Sequence, residues 1–300
     1  MQREWRPDWP CPAGQVLAVA RRGAGDPTYR IDASGAHWRG VRTPTGPGTL
    51  RVQPRLGESS IEAQAWGPGA EWLLDALPAM LGADDDWSGF EARHPVVEEA
   101  LRRHPHWRIG RTGLVMEALV PAILEQKVTG QEAFLGFRRL VRGHGERAPG
   151  PHDDLWIQPA PDVLVAIPSW EWLRMRVDGA RSRTLVGAAR VAAALERTTG
   201  SSHAEADRRL RSLPGIGVWT SAETRVRAHG DPDAVSFGDF HVAKDIGWAL
   251  RGRPADDTEL VEILRDWEGH RYRVQALLSL SGHRRPRRGP RMAPRRHLPG

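Results

Sequence analysis

Cysteine is nearly absent: Cys11 is the only one in 300 residues. A lone thiol excludes an internal disulfide, a four-cysteine zinc site and a four-cysteine iron–sulfur cluster. Lysine is almost as scarce, since Lys127 and Lys244 are the only two and arginine carries the remaining basic charge. No run of about twenty apolar residues occurs, and the opening MQREWRPDWPCPAGQ holds no apolar core of signal-peptide type. These absences predict a soluble, cytoplasmic chain with no membrane partner. Acid is missing from the last eighteen residues, HRRPRRGPRMAPRRHLPG, which carry seven arginines. The rest of the chain, with 36 basic and 37 acidic residues, is close to neutral. With little apolar surface to bury, residues 283–300 are expected to form a disordered arginine-rich tail. That tail fits two readings, a non-specific grip on nucleic acid and a merely solvated end.

The hydrophobic fraction, 40%, is that of an ordinary globular protein, and the length allows one large domain or two. Residues 16–67 read as strands. QVLAVARR, TYRIDA, HWRGVRT, TLRVQPR and SIEAQAW are short, rich in β-branched or aromatic residues, and separated by Gly, Pro, Asp and Ser. DASG and RLGESS look like the hairpin turns between them. A helix is predicted over about 69–82, burying Trp72, Leu73, Leu77, Met80 and Leu81, with Pro78 kinking it. GADDDWSG reads as a polar linker, closing a small antiparallel α/β domain near residue 86.

Beyond that point the pattern is helical. GLVMEALVPAILEQ places Leu119, Ile123 and Leu124 on one face, in spite of Pro121. QEAFLGFRRLV follows, with Thr129 and Glu132 spaced as a capping box, so Gln126, Lys127 and Val128 fall in a tight turn. RSRTLVGAARVAAALE is amphipathic, and Ser202 with Glu205 is placed to cap HAEADRRLRSL. No internal repeat is present.

The stretch LPGIGVWTSAETRVRAHGDPDAVSFGDFHVAKDIGW, from Leu213, carries the chemistry. PGIG must end one helix, and Gly215 and Gly217 are expected to use positive φ to open the backbone amides. The helix starting at Val218 adds its unpaired N–H groups, and open amides at a helix N-terminus bind anions, typically phosphate. The plain alternative is a connecting turn between two helices. Asp239 precedes a further amphipathic helix, where an aspartate serves as N-cap or as a carboxylate that steadies a sugar cation.

Taken together, this hairpin, loop and aspartate resemble the signature of the helix–hairpin–helix DNA glycosylase superfamily. The chain is most similar to its DNA-3-methyladenine glycosylase II branch. ALVPAILEQKVTGQEA resembles that branch's helix, wedge turn and following helix, and a small sheet domain ahead of the helices also belongs to it. The resemblance spans about residues 16–282. It implies an α+β fold: a small N-terminal antiparallel sheet with a helix over 1–86, then a two-lobed all-α core over 87–282.

The resemblance further implies that Gly215, Ile216 and Gly217 give backbone amides to a DNA phosphate, with Thr220 in the same interface. A monovalent cation held by the hairpin carbonyls is the one bound ion it suggests; no other cofactor or metal is expected. Asp239 takes the place of the catalytic carboxylate and Trp219 that of a base-pocket wall. Lys127, with Gln126 beside it, stands where an apolar residue usually enters the gap left by the flipped nucleotide. Glu223 stands where a tyrosine is common and Ser281 near the place of a tryptophan; Glu125 and Pro121 are further departures. Members that also cut the strand carry a lysine at the position of Trp219. The implied function is therefore a monofunctional glycosylase, acting as a monomer on double-stranded DNA with damaged bases, at the nucleoid. The competing class is a non-catalytic DNA-binding or damage-sensing module that keeps the hairpin and has lost the pocket.

Overall fold

A computed structural model describes residues 1–55 and 59–286. Its first part is a five-stranded antiparallel sheet in the order β1-β5-β4-β3-β2, formed by β1 (Gln2–Trp5), β2 (Tyr29–Ile31), β3 (His37–Thr43), β4 (Gly46–Arg55) and β5 (Ser60–Trp66). On β5 the register buries Ile61, Ala63 and Ala65 on one face, the period-2 pattern of a half-covered sheet. α2 (Ala70–Met80) covers it with Leu73, Leu74 and Leu77, while Trp72 is only half-buried. Pro78 lies inside α2 and deprives the Leu74 carbonyl of its helical donor. Arg3 replaces that donor, its guanidinium giving a 2.9 Å bond to Leu74 O.

Two expectations for the sheet need correction. QVLAVARR is no strand: α1 (Ala13–Leu17) runs into a single 3-10 turn over Ala18–Ala20. Ala13, Val16 and Leu17 are buried, the i, i+3, i+4 spacing of a helix, and Ala18 is exposed. β1 replaces it as the fifth strand. It is a polar edge strand, QREW, fixed by pairing to β5 and by the N-terminal ammonium donating to Ala65 O at 2.8 Å. The turn expected in RLGESS falls largely on residues 56–58, and the arginine-rich tail mostly on 287–300, both outside the described residues.

The remainder is helical apart from a two-stranded ribbon, β6 (Glu146–Arg147) with β7 (Trp156–Ile157). α3 (Pro95–Arg103) leads to α4 (Val115–Leu124) and α5 (Gly130–His144), then α6 (Pro161–Ala166), α7 (Ser169–Arg174), α8 (Gly179–Arg190) and α9 (Ala192–Glu196). The predicted RSRTLVGAARVAAALE helix is thus two, broken at Val191. α10 (His203–Arg211), α11 (Val218–His229), α12 (Val242–Arg251), α13 (Asp257–Ile263) and α14 (Arg271–Leu280) complete the chain. The Thr129/Glu132 capping box of α5 is present. Ser202 caps α10 without reciprocity, because the Glu205 carboxylate is held by Arg208 and Arg209.

Two large apolar clusters organise these helices. One joins the sheet and α2 to α3 and to residues of α12, α13 and α14, so packing continues across residue 86. The other gathers α4, α5, α8 and α9 around Leu119, Ile123 and Leu140, with Leu210 and Ile216 at its edge. α4 is the buried centre of the second cluster. Its first amides, Val115 N and Met116 N, donate to the Glu196 carboxylate, and Arg181 donates to Leu124 O at its other end. Buried helix ends need such partners. They fix where α4 delivers the Glu125–Val128 turn.

Candidate active site and nucleic-acid interface

The hairpin between α10 and α11 is built on Ile216, which is buried in the second apolar cluster while its glycine neighbours are exposed. Gly215 has φ +88°, and a Cβ there would stand 2.1 Å from the Thr184 hydroxyl, so only glycine fits. Gly217 differs from expectation. Its φ is −93° with ψ −175°, an extended N-cap that any residue can adopt. What its missing side chain leaves is open space, with no atom within 4 Å of a built Cβ. The first bond of α11 runs from Ser221 N to Gly217 O at 3.0 Å, so the amides of Val218, Trp219 and Thr220 precede the helical ladder.

The α4–α5 turn meets this hairpin through Gln126. Its Nε2 donates to Gly215 O at 2.9 Å and to Thr220 Oγ1 at 2.8 Å, using both amide hydrogens. Gln126 is therefore a strut between turn and hairpin. Thr220 is 2% exposed with its hydroxyl facing Gln126, leaving only its backbone amide for a phosphate. Lys127, by contrast, is exposed in the left-handed region at φ +53° and makes no ion pair among the described residues.

Asp239 lies at the entry to α12, two residues before its N-cap His241. Its Oδ1 accepts from His241 N at 2.7 Å and Val242 N at 3.1 Å, bracing the turn that leads into α12. Its Oδ2 accepts from Trp219 Nε1 at 3.2 Å, across twenty residues of sequence. One oxygen fixes the carboxylate and the other faces the wall of α11. Trp219 and Asp239 are half-buried, so the pair is reachable from solvent.

One turn further along α11 the surroundings are charged. Glu223, four residues beyond Trp219 on α11, bonds the Ser236 hydroxyl and the Arg227 guanidinium, the latter at 2.7 Å. Arg22 reaches Glu125 at 3.4 Å, and Ser236 N donates to Gln275 Oε1 at 3.3 Å. Burial works to raise the Glu223 pKa, but Arg227 and Ser236 outweigh it and hold the carboxyl below its ordinary value. Burial lowers the Arg22 pKa, with the nearby Arg227 charge adding to the effect. Tyr272 is pushed up to about 12 by burial and stays a neutral phenol. The departures at Glu125 and Glu223 thus belong to one ion-paired cluster with Arg22 and Arg227. Ser281 is elsewhere, its carbonyl accepting from Arg103 of α3; Tyr272 and Gln275 are the α14 residues that face the cluster. None of these basic partners carried a sequence signal, because Arg22 and Arg227 are two arginines among many.

A 3-methyladenine DNA glycosylase from Archaeoglobus fulgidus superposes with a TM-score of 0.79, over 93% of this chain and 98% of that one, at 15% identity. An 8-oxoguanine glycosylase/lyase from Clostridium acetobutylicum gives 0.71 over 93% and 95%, at 12% identity. The fold is that of the helix–hairpin–helix DNA glycosylases. In sequence the chain is 29% identical over 217 residues to a probable bifunctional transcriptional activator/DNA repair enzyme AlkA of Mycobacterium tuberculosis. That match takes in 70% of this chain but 40% of the relative, so the chain spans about two-fifths of the length of the curated relatives it matches. No family profile matches. In the helix–hairpin–helix frame, the sheet expected from the resemblance is present, and the hairpin, Gln126 and Asp239 all meet the first turn of α11. Among the described residues no group of three or more His, Cys, Asp and Glu is arranged to hold a metal, and no helix is long and apolar enough to cross a membrane.

Proposed function

We propose that the chain is a monofunctional DNA glycosylase of base excision repair, removing alkylated purines such as 3-methyladenine from double-stranded DNA. The observation that carries this reading is the Trp219–Asp239 pair, set beside the open amides of the hairpin. The amides of Gly217–Thr220 suit a phosphate and read no base sequence. A base turned out of the stack, at a cost of a few kcal/mol, would place its sugar beside Asp239.

A purine alkylated at a ring nitrogen is cationic, so its glycosidic bond is already weak and the leaving base needs no acid. What remains is to steady an oxocarbenium-like sugar and orient a water, which a fixed carboxylate does. Asp239 is fixed by its two bonds from backbone amides before any substrate arrives. The indole face of Trp219 can receive a cationic base, a contact worth roughly 0.5–2 kcal/mol.

Cleavage of the strand would need a lysine amine at the sugar to form a Schiff base. Trp219 stands where such a lysine would be, which supports hydrolysis that leaves an unbroken strand. The hairpin carbonyls Leu213 O and Gly215 O each accept one bond, from Ile216 N and Gln126 Nε2, and keep a second lone pair. A monovalent cation fits there and would add positive charge toward the phosphate. Cytoplasmic action at the nucleoid, as a monomer, completes the reading.

The charged floor of Arg22, Glu125, Glu223 and Arg227 favours the second reading, a DNA-binding module without turnover, because it replaces the apolar surfaces that would stack a base. Release of free 3-methyladenine from alkylated duplex separates the two. Release with an intact strand supports the glycosylase; tight binding of damaged duplex with no release supports the module.

A further inference from the structure

Phe240 is the most exposed large hydrophobic side chain among the described residues, at 68%, and it follows Asp239 directly. Single exposed apolar residues are ordinary and need no explanation. Three features set this one apart. Its backbone is pinned, because Asp239 Oδ1 holds the amides on the far side of it, His241 N and Val242 N. The backbone at Phe240 thus keeps a fixed place next to Asp239, whereas one on a loose loop would not. Cations also gather on it: Lys244 Nζ lies 3.8 Å from the ring centroid and Arg285 Cζ 5.9 Å. One of the chain's two lysines is spent on this ring. Finally, the core-facing side of α12 is Ala243, Ile246 and Gly247, so Phe240 contributes nothing to the apolar cluster beneath it.

Lys244 Nζ sits over a face of the ring, and a base stacking there would take its place as the ammonium turns to a phosphate; an exposed aromatic ring with cations at hand is what a single-stranded stretch of nucleic acid binds. Asp245 is the acidic neighbour, and it is paired with Arg285 at 3.5 Å. We propose that Phe240 is a stacking platform for the nucleobase next to the everted nucleotide on the damaged strand, with Lys244 and Arg285 meeting the adjoining phosphates. The inference rests on the reading that the Trp219–Asp239 pair is where the DNA sugar is held. Nothing in the reaction chemistry requires the platform. It acts by holding the strand open after a base has left the stack.

The test is binding of the whole chain to a duplex with an abasic site and 2-aminopurine beside it, which needs no base release. Wild type is expected to bind with quenched fluorescence as the analogue stacks. Phe240→Ala should weaken binding roughly tenfold and abolish the quench, while Phe240→Trp keeps both. Phe240→Leu keeps the apolar volume without a π face and should fail like alanine. Lys244→Gln should retain the quench and lower the salt slope by about one. Equal binding and quench for wild type and Phe240→Ala overturns the platform, as does full rescue by leucine. Wild type that releases no base yet shows a Phe240-dependent quench would sink the glycosylase reading and leave the platform standing. Unchanged melting of the variants, expected for so exposed a residue, guards against loss of fold.

Discussion

Trp219 Nε1 donates to Asp239 Oδ2 while Asp239 Oδ1 holds the amides of His241 and Val242, so a single carboxylate is shared between the entry to α12 and the wall of α11. Asp239→Asn separates the two tasks. Asparagine keeps an Oδ1 acceptor for the amides of His241 and Val242, so the fold should survive. The charge aimed at the sugar is lost, and an amide NH2 turned toward the indole N–H would meet donor with donor. Base release is expected to fall by at least about a hundredfold, with affinity for abasic duplex retained. Single-turnover release and a binding isotherm check this. An asparagine variant with wild-type turnover removes Asp239 from the chemistry.

Gly215 and Gly217 are expected to respond differently to alanine. At Gly215 the positive φ and the Thr184 hydroxyl both oppose a side chain, so Gly215→Ala should destabilise the fold by about 1–2 kcal/mol or more. Gly217→Ala meets nothing in the free protein and should melt like wild type. Its methyl projects into the space a phosphate would occupy, so its DNA affinity should drop. Denaturant melts paired with binding measurements decide it. Undiminished affinity for Gly217→Ala would count against the phosphate site.

How much of this could be read beforehand depends on the range of the interactions. The α5 cap was legible because Thr129 and Glu132 lie three residues apart and satisfy each other. Gly215 was legible for the same local reason. α1 was not: QVLAVARR is β-rich in composition, and only the packing of Ala13, Val16 and Leu17 against the sheet selects the helix. β1 is too polar to announce itself and exists through its pairing with β5. The Asp239–Trp219 bond spans two elements, and the Arg22–Glu125 pair spans 103 residues, so no spacing rule finds either. That Gln126 braces the hairpin was not legible either, because Gly215 lies 89 residues away.

Glu223 balances Arg227 in a largely buried pair with side chains 15% and 18% exposed. Glu223→Gln would leave that guanidinium without its counter-charge, a change that typically costs 3–5 kcal/mol when an ion pair is fully buried. A loss of about 2–3 kcal/mol is expected here, where some solvent remains. Glu223→Gln combined with Arg227→Met should recover most of it, since both charges are then gone. A double mutant no more stable than the single would show that the two residues do not act as a pair.

Lys127 can be tested without strain because its backbone is already left-handed. Lys127→Gly removes the charge and relieves the φ, so stability should hold or rise slightly. If the ammonium meets a phosphate, binding to damaged duplex should weaken and the salt dependence should flatten by about one unit of slope. Lys127→Leu should show the same salt deficit yet flip a fluorescent base analogue more readily, because an apolar side chain wedges better than a hydrated ammonium. If both variants match wild type in slope and flipping, Lys127 is a bystander.

His229 sets an acid limit on stability. It lies at the C-terminal end of α11, 7% exposed, with Nε2 3.0 Å from the Thr198 hydroxyl. That hydroxyl gives its own proton to Leu195 O at 2.6 Å, so Nε2 must be the donor and the imidazole is neutral. Nδ1 is buried without a partner, leaving nowhere to stabilise a second proton. Burial, with His203, Arg225 and Arg111 nearby, lowers its pKa from 6.5 to about 4. The unfolded chain therefore takes up a proton near pH 6.5 that the folded one refuses. Stability from this group is full above about pH 6.5 and declines as pH falls toward 4, by at most about 3 kcal/mol. His229→Gln cannot protonate, so its unfolding free energy, measured in urea between pH 7.5 and 4.5, should fall less steeply than wild type. Identical slopes for the two proteins would mean that His229 protonates as readily folded as unfolded.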